Sequence, residues 1–270
     1  MPDQPPPPPP AEPTDAQPRQ GNAARTAILA VGGGAVLFVL GAIAFDTGLI
    51  HHEDKADKQA AKTDAVSFQP PPMSAIPDGP EGESIRRGMA IFTNTGTNAK
   101  QFVGNGLSCQ NCHLDAGRKP DSAPMWAAWV TYPLYRSKNK QINTMEARIK
   151  GCFTYSMNAQ DSPAGKAPPL GDQIYTDLQT YFHWLAKGAP TDTKLKGAGF
   201  FKLKETKLGY DPARGAQVFQ QNCASCHGAD GQGQRDINGR VVFPPLWGPH
   251  SYNWGAGMAS VKNAAAFVKK

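Results

Sequence analysis

The longest apolar run lies near the amino end. From Thr26 to Phe45 the chain reads TAILAVGGGAVLFVLGAIAF without a charge. At a helical rise this run spans about 30 Å, the thickness of a bilayer core. Arg19 and Arg25 precede it, and Asp46, Glu53 and Asp54 follow. Positive charge stays on the cytoplasmic side, so residues 46–270 are expected across the inner membrane, in the periplasm. Residues 26–45 therefore read as a transmembrane anchor. Ala42-Ile43-Ala44 also fits a cleavage site, which would make the run a signal segment; either way the remainder reaches the periplasm. Residues 1–25 are polar, with consecutive prolines from Pro5 to Pro10, and are predicted to be disordered. Residues 46–82 end in proline and glycine punctuation and read as a linker.

Beyond residue 82 the apolar period becomes helical. Ile85, Met89 and Phe92 predict an opening helix. Over 172–187, Ile174, Leu178, Tyr181, Phe182 and Leu185 share one face of a closing helix stopped by Gly188 and Pro190. A short repeat follows: Arg87-Gly88-Met89-Ala90-Ile91-Phe92 is echoed by Arg214-Gly215-Ala216-Gln217-Val218-Phe219. It argues for two copies of one unit, at 83–190 and 211–270, joined by a connector at 191–210. The second copy is shorter after its matching segment and stops inside an apolar helical pattern, Ala264 to Lys270. The expectation is that its carboxyl end is incomplete.

Composition changes this picture in one respect. The net charge is +6 and the pI about 9.0. The basic residues are scattered, without the Lys/Arg runs interleaved with aromatics that nucleic acid requires, so the excess points to small anions. The five cysteines then decide the class. Four form Cys109-Gln110-Asn111-Cys112-His113 and Cys223-Ala224-Ser225-Cys226-His227. Cys-x-x-Cys-His is the attachment motif of c-type haem: the thiols become thioethers and the histidine ligates iron. Redox Cys-x-x-Cys pairs or zinc half-sites would not need the adjoining histidine each time. The expected fold is mainly α, with two cytochrome c-like domains in tandem, each carrying one covalent haem c.

His113 and His227 are the proximal ligands. For the first haem the sixth position is open between Cys152, Met145 and Met157. Cys152 is the leftover thiol, and its neighbours Arg148 and Lys150 favour a thiolate. For the second haem the candidates are Met258, Lys269, Lys270 or a residue beyond the chain end. His183 reads as a packed helix residue, His51 and His52 as linker, and His250 as part of a turn.

Several stretches resemble the dihaem thiosulfate dehydrogenases. They are Leu107 to Arg118 around the first motif, Tyr135-Arg136-Ser137-Lys138-Asn139, Glu146 to Asn158, Pro244 to Pro249, and Ser251-Tyr252-Asn253-Trp254-Gly255-Ala256-Gly257-Met258. The resemblance covers about 82–270. It implies that two thiosulfate ions are joined into tetrathionate at the first haem, ligated by His113 and Cys152. Arg136 or Lys138, together with Arg148, would hold the anion, with Ser156 as a further contact. The second haem would pass electrons to a soluble or membrane acceptor such as another cytochrome. Contact with haem propionates is the competing role for Arg136, Lys138 and Arg148. The competing function is a non-catalytic electron-transfer subunit of a membrane dehydrogenase or oxidase.

Overall fold

The computed structural model describes residues 65–204 and 207–269. Apart from short single turns, its helices and strands run α1 (Gly79–Thr93), α2 (Met125–Trp129), β1 (Leu134–Arg136), β2 (Gln141–Asn143), α3 (Met145–Gly151) and α4 (Gln173–Leu185) in the first domain. The second domain holds α5 (Pro212–Asn222), β3 (Gln234–Arg235), β4 (Val241–Phe243) and α6 (Val261–Lys269). Each strand pair is a small antiparallel hairpin, with Tyr135 opposite Ile142 in the first. The segments expected at 1–25 and 26–45, much of 46–82, and Lys270 lie outside the described residues. Among the described residues no helix is long and apolar enough to cross a membrane.

Helix α1 starts at Gly79, inside the segment read as linker. Pro80 suits a first turn, where its missing N–H is no loss, and Glu81 faces the positive helix end. Ile85, Ile91 and Phe92 are buried and Met89 partly so. Asp172 caps α4 by accepting from the Ile174 amide at 2.9 Å. The predicted face of α4 is buried at Leu178, Tyr181, Phe182 and Leu185, but Tyr175, Asp177 and Trp184 are buried as well. The helix is enclosed on more than one side, by α1 and by the cavity described below.

The two helices meet closely at Gly88, where a Cβ would lie 2.1 Å from the Asp177 carbonyl oxygen. Beside it the Asp177 carboxylate accepts from Arg87 Nε and Nη2 at 3.0 and 2.9 Å, from Ser84 at 2.7 Å and from Gln173 at 3.0 Å. The Arg-Gly pair of the sequence repeat is thus the crossing point of the first domain. In α5 the echo has a different setting. Arg214 pairs with Asp211, the helix has no buried residue, and α6 turns its Phe267 ring to Phe200 of the connector.

The linker and connector pack together. Val66 and Leu195 pair as a parallel bridge, and the Phe68 ring lies tilted against Trp126 of the first domain, centroids 5.4 Å apart. The connector also bonds the loop after the first haem motif, with Asp121 N donating to Gly197 O at 2.7 Å and Ala123 N to Gly199 O at 3.0 Å.

Candidate functional site

Cys109 and Cys112 flank one short turn anchored from both sides. Ser108 and Asn111 form a reciprocal cap, and Thr95 Oγ1 accepts from the Cys109 amide at 3.1 Å. The following backbone is strained: Asp115, Ala116 and Ala123 have φ of 53°, 50° and 48°. Tyr181 holds this loop by donating to Ala116 O at 2.7 Å. The loop brings Ala123 O to 2.8 Å from His113 Nδ1. That carbonyl fixes the proton on Nδ1 and leaves Nε2 to a metal. Burial lowers His113 to about 4, so its ring is the neutral, ligating form. Burial also pushes Cys109 up to about 12 and Cys112 to about 11.

The second motif repeats the device. His227 Nδ1 lies 2.9 Å from Pro244 O. In both domains the carbonyl belongs to the residue before a proline, Pro124 in one and Pro245 in the other. Phe243 and the tilted ring pair Phe219–Trp247 supply aromatic walls.

In the first domain these residues open on a cavity of about 370 Å³, within the range of cofactor sites. Cys109, Cys112 and His113 line it, with Phe92, Leu178 and Phe182 as apolar wall. Two half-buried thiols beside a neutral imidazole with a free Nε2, facing apolar side chains, fit a covalently held haem.

Cys152, Arg148, Arg136 and Ser156 also line this cavity. Thr144 caps α3, accepting from Ala147 N at 3.1 Å, and α3 ends in a π-helical turn over Cys152–Ser156. Such turns cluster at functional sites. Arg148 stands one helical turn before Cys152, and its Nη1 donates to the sulfur at 3.0 Å. The Cys152 sulfur first, then the Tyr132 hydroxyl, hold the Arg148 guanidinium in its charged form against burial. Arg136 Nη1 donates to the same hydroxyl at 2.7 Å. Two guanidinium groups thus gather around Tyr132, next to a sulfur.

Lys138, which the resemblance offers as the alternative to Arg136 for holding the anion, does not line the cavity. Its ammonium donates to Gly255 O at 2.6 Å and lies over the Tyr155 ring. Met145 and Met157 do line the cavity, but Cys152 is the sulfur held by a cation. Met258, considered for the second haem, lines this first cavity together with Tyr252 and Asn263. Lys269 is exposed at the end of α6. His183 is exposed beside Trp129 rather than packed inside. Sequence reasoning missed Tyr132, Tyr252 and Asn263. The Ser251–Met258 run carried a signal, as part of the resemblance, but not its location.

Two attachment motifs, each with its imidazole oriented by a carbonyl, define a c-type cytochrome carrying two covalent haems. The SoxA/TsdA cytochrome c domain matches residues 96–191 and the cytochrome c domain matches 212–268. Thiosulfate dehydrogenase of Thiomonas intermedia is 50% identical over 79% of this chain and 66% of its own. The enzyme of Allochromatium vinosum is 36% identical over 82% of this chain and 78% of its own. The solved thiosulfate dehydrogenase TsdBA from Marichromatium purpuratum superimposes with a TM-score of 0.72 at 51% identity, covering 75% of this chain and 43% of that one. The chain belongs to the thiosulfate dehydrogenase family. It spans about two thirds of the length of its first curated relatives.

Proposed function

We propose that the first domain oxidises two thiosulfate ions to tetrathionate and that the second passes the electrons to an external acceptor, a soluble or membrane cytochrome. The observation that carries this reading is the Cys152 sulfur at 3.0 Å from the Arg148 guanidinium, in the cavity that His113 also lines. The relatives named thiosulfate dehydrogenase support it. In this reading His113 and Cys152 would hold the iron of the first haem; Cys109, Cys112, Cys223 and Cys226 would hold the two haems covalently, and His227 the iron of the second.

Each thiosulfate is a dianion, so joining two brings four negative charges together. Arg148 and Arg136 offset that repulsion where few waters screen it, and their planar forks suit sulfur oxyanions. Ser156 offers a further hydroxyl on the same wall. The Cys152 thiolate bonds the sulfane sulfur of the first thiosulfate, giving Cys–S–S–SO₃⁻ and releasing two electrons. The bound haems supply the acceptors for that pair. The second thiosulfate attacks the sulfane sulfur of the adduct; the Cys152–sulfur bond breaks, tetrathionate leaves and the thiolate returns.

Residues 26–45 are proposed to anchor the chain to the inner membrane, or to act as a signal segment, with the domains at 83–190 and 211–270 in the periplasm. The test of the chemistry is Cys152→Ala and Cys152→Met in the full, haem-loaded chain. Both should keep two covalent haems by mass and lose tetrathionate formation with an artificial acceptor. Turnover retained by Cys152→Met would leave an electron relay without covalent sulfur chemistry.

A further inference from the structure

The carboxyl end of the Cys152 turn is built from two domains. A helix end leaves carbonyls without partners inside the helix, and buried ones must find donors elsewhere. In the π turn Cys152–Ser156 the internal bond is from Met157 N to Cys152 O, at 3.0 Å. Three later carbonyls of the turn, those of Thr154, Tyr155 and Ser156, are also paired.

Their donors come from outside the turn. Asn253 Nδ2 donates to Thr154 O at 3.1 Å, and Asn253 N donates to Tyr155 O at 3.0 Å. The Asn253 side-chain Nδ2 also donates to Asn158 Oδ1 at 3.3 Å. Asn105 Nδ2 donates to Ser156 O at 2.8 Å and to Ser251 O at 3.0 Å. Asn105 Oδ1 accepts from Leu107 N at 3.1 Å, just before the first haem motif.

The segment from Ser251 to Gly255 is itself held at both ends. Ser251 Oγ, buried, donates to Pro245 O at 2.9 Å, one residue past the carbonyl that orients His227. Gly255 N donates to Asn253 Oδ1 at 2.9 Å, which fixes the amide so that its Nδ2 points at the turn. Gly255 also passes so close to Tyr155 that a Cβ there would lie 2.2 Å from Cδ1. Lys138, in the turn of the hairpin that carries Arg136, closes the contact through Gly255 O at 2.6 Å.

We propose that Ser251–Gly255 is a positioning strap for the Cys152 turn, with Asn253 and Asn105 as its pins. The inference rests on the reading of Cys152 as an iron ligand. A π turn holds one residue more than the α-helix it interrupts and is uncommon in isolation. With its last carbonyls unpaired it relaxes, and Cys152 loses its aim into the cavity. The strap therefore makes sulfur ligation in the first domain depend on a segment of the second. It also gives Lys138 a role outside anion binding.

The experiment uses the full chain with both haems in place. Asn253→Asp keeps the shape, removes the amide donor and sets a carboxylate against the Thr154 carbonyl. The thiolate-to-iron charge-transfer band of the ferric first haem, the spectrum of the second haem and amide exchange at Met157 are recorded. The thiolate-ligated fraction, as the ratio of ligated to unligated protein, should fall about tenfold, and Met157 exchange should quicken. The second haem and the covalent haem count should not change. Asn253→Gln, which keeps a donor, should restore part of the band. If Asn253→Asp fails to accumulate as holoprotein, Asn105→Ser withdraws the other pin and should give the same loss. An unchanged thiolate band and Met157 exchange in these variants would overturn the strap alone. A parent protein without the band would overturn the reading of Cys152, and the strap with it.

Discussion

Arg148 sits one helical turn before Cys152, so α3 and the turn that continues it place a cation on the sulfur. Charge-assisted bonds to a fixed fork are worth about 1.5–3 kcal/mol. Arg148→Lys keeps the charge and loses the fork, and kcat/KM for thiosulfate should fall about tenfold. Arg148→Met removes both and should cost about a hundredfold. Steady-state assays of the two variants check the order; equal losses would mean that only charge matters. At this scale much of the site was legible. Both attachment motifs follow from the chemistry of thioether and imidazole. The leftover cysteine among cations drew attention to itself. Tyr132 was not legible, because a tyrosine between a threonine and a proline carries no mark of the two guanidinium groups that its hydroxyl gathers.

The crossing of α1 and α4 is held by a buried carboxylate as much as by apolar contact. Burial alone would raise the pKa of Asp177; the hydrogen bonds from Arg87, Ser84 and Gln173 and the charge of Arg87 outweigh it and leave it below its ordinary 3.8. A carboxylate depressed in the folded state stabilises above its unfolded value, and that contribution is lost as pH falls through the folded value. Asp177→Asn should therefore cost about 2 kcal/mol at neutral pH. That is below the range for breaking a fully buried pair, because the Arg87 side chain is 52% exposed. The gap between variant and parent should narrow as pH drops below 3.8. Denaturant unfolding of the holoprotein across that range reads it; a gap independent of pH would assign the loss to packing. Sequence periodicity found both helices by their apolar faces. It missed Asp177 because a polar residue on a helix reads as solvent-facing unless its partner, distant in sequence, is known. It also gave Arg214-Gly215 the same meaning as Arg87-Gly88, although only the latter meets a second helix among the described residues.

Across the whole molecule, the segments that join the domains were the least legible. The connector is polar and rich in glycine and lysine, yet Gly197 and Gly199 carbonyls hold the loop behind His113, and Ala198 and Phe200 line the cavity. Backbone hydrogen bonds of this kind leave no side-chain pattern. The net charge of +6 was legible, and it bears on how substrate arrives. A dianion approaching a cationic cavity is drawn from a distance comparable to the Debye length, roughly 10 Å at 0.1 M salt. Raising ionic strength from about 0.01 to 0.3 M should lower kcat/KM for thiosulfate about fivefold, through KM. The contacts made after binding are partly buried and screened less, so kcat should stay within about twofold. Sodium chloride and potassium chloride should act alike, since screening depends on charge and not on the ion. The same series run on Arg136→Gln should be flatter, because one of the two guanidinium groups that set the local field is gone. If the parent itself shows a flat profile, Arg136 and Arg148 are neutralised within the site, by haem propionates, and do not face the substrate.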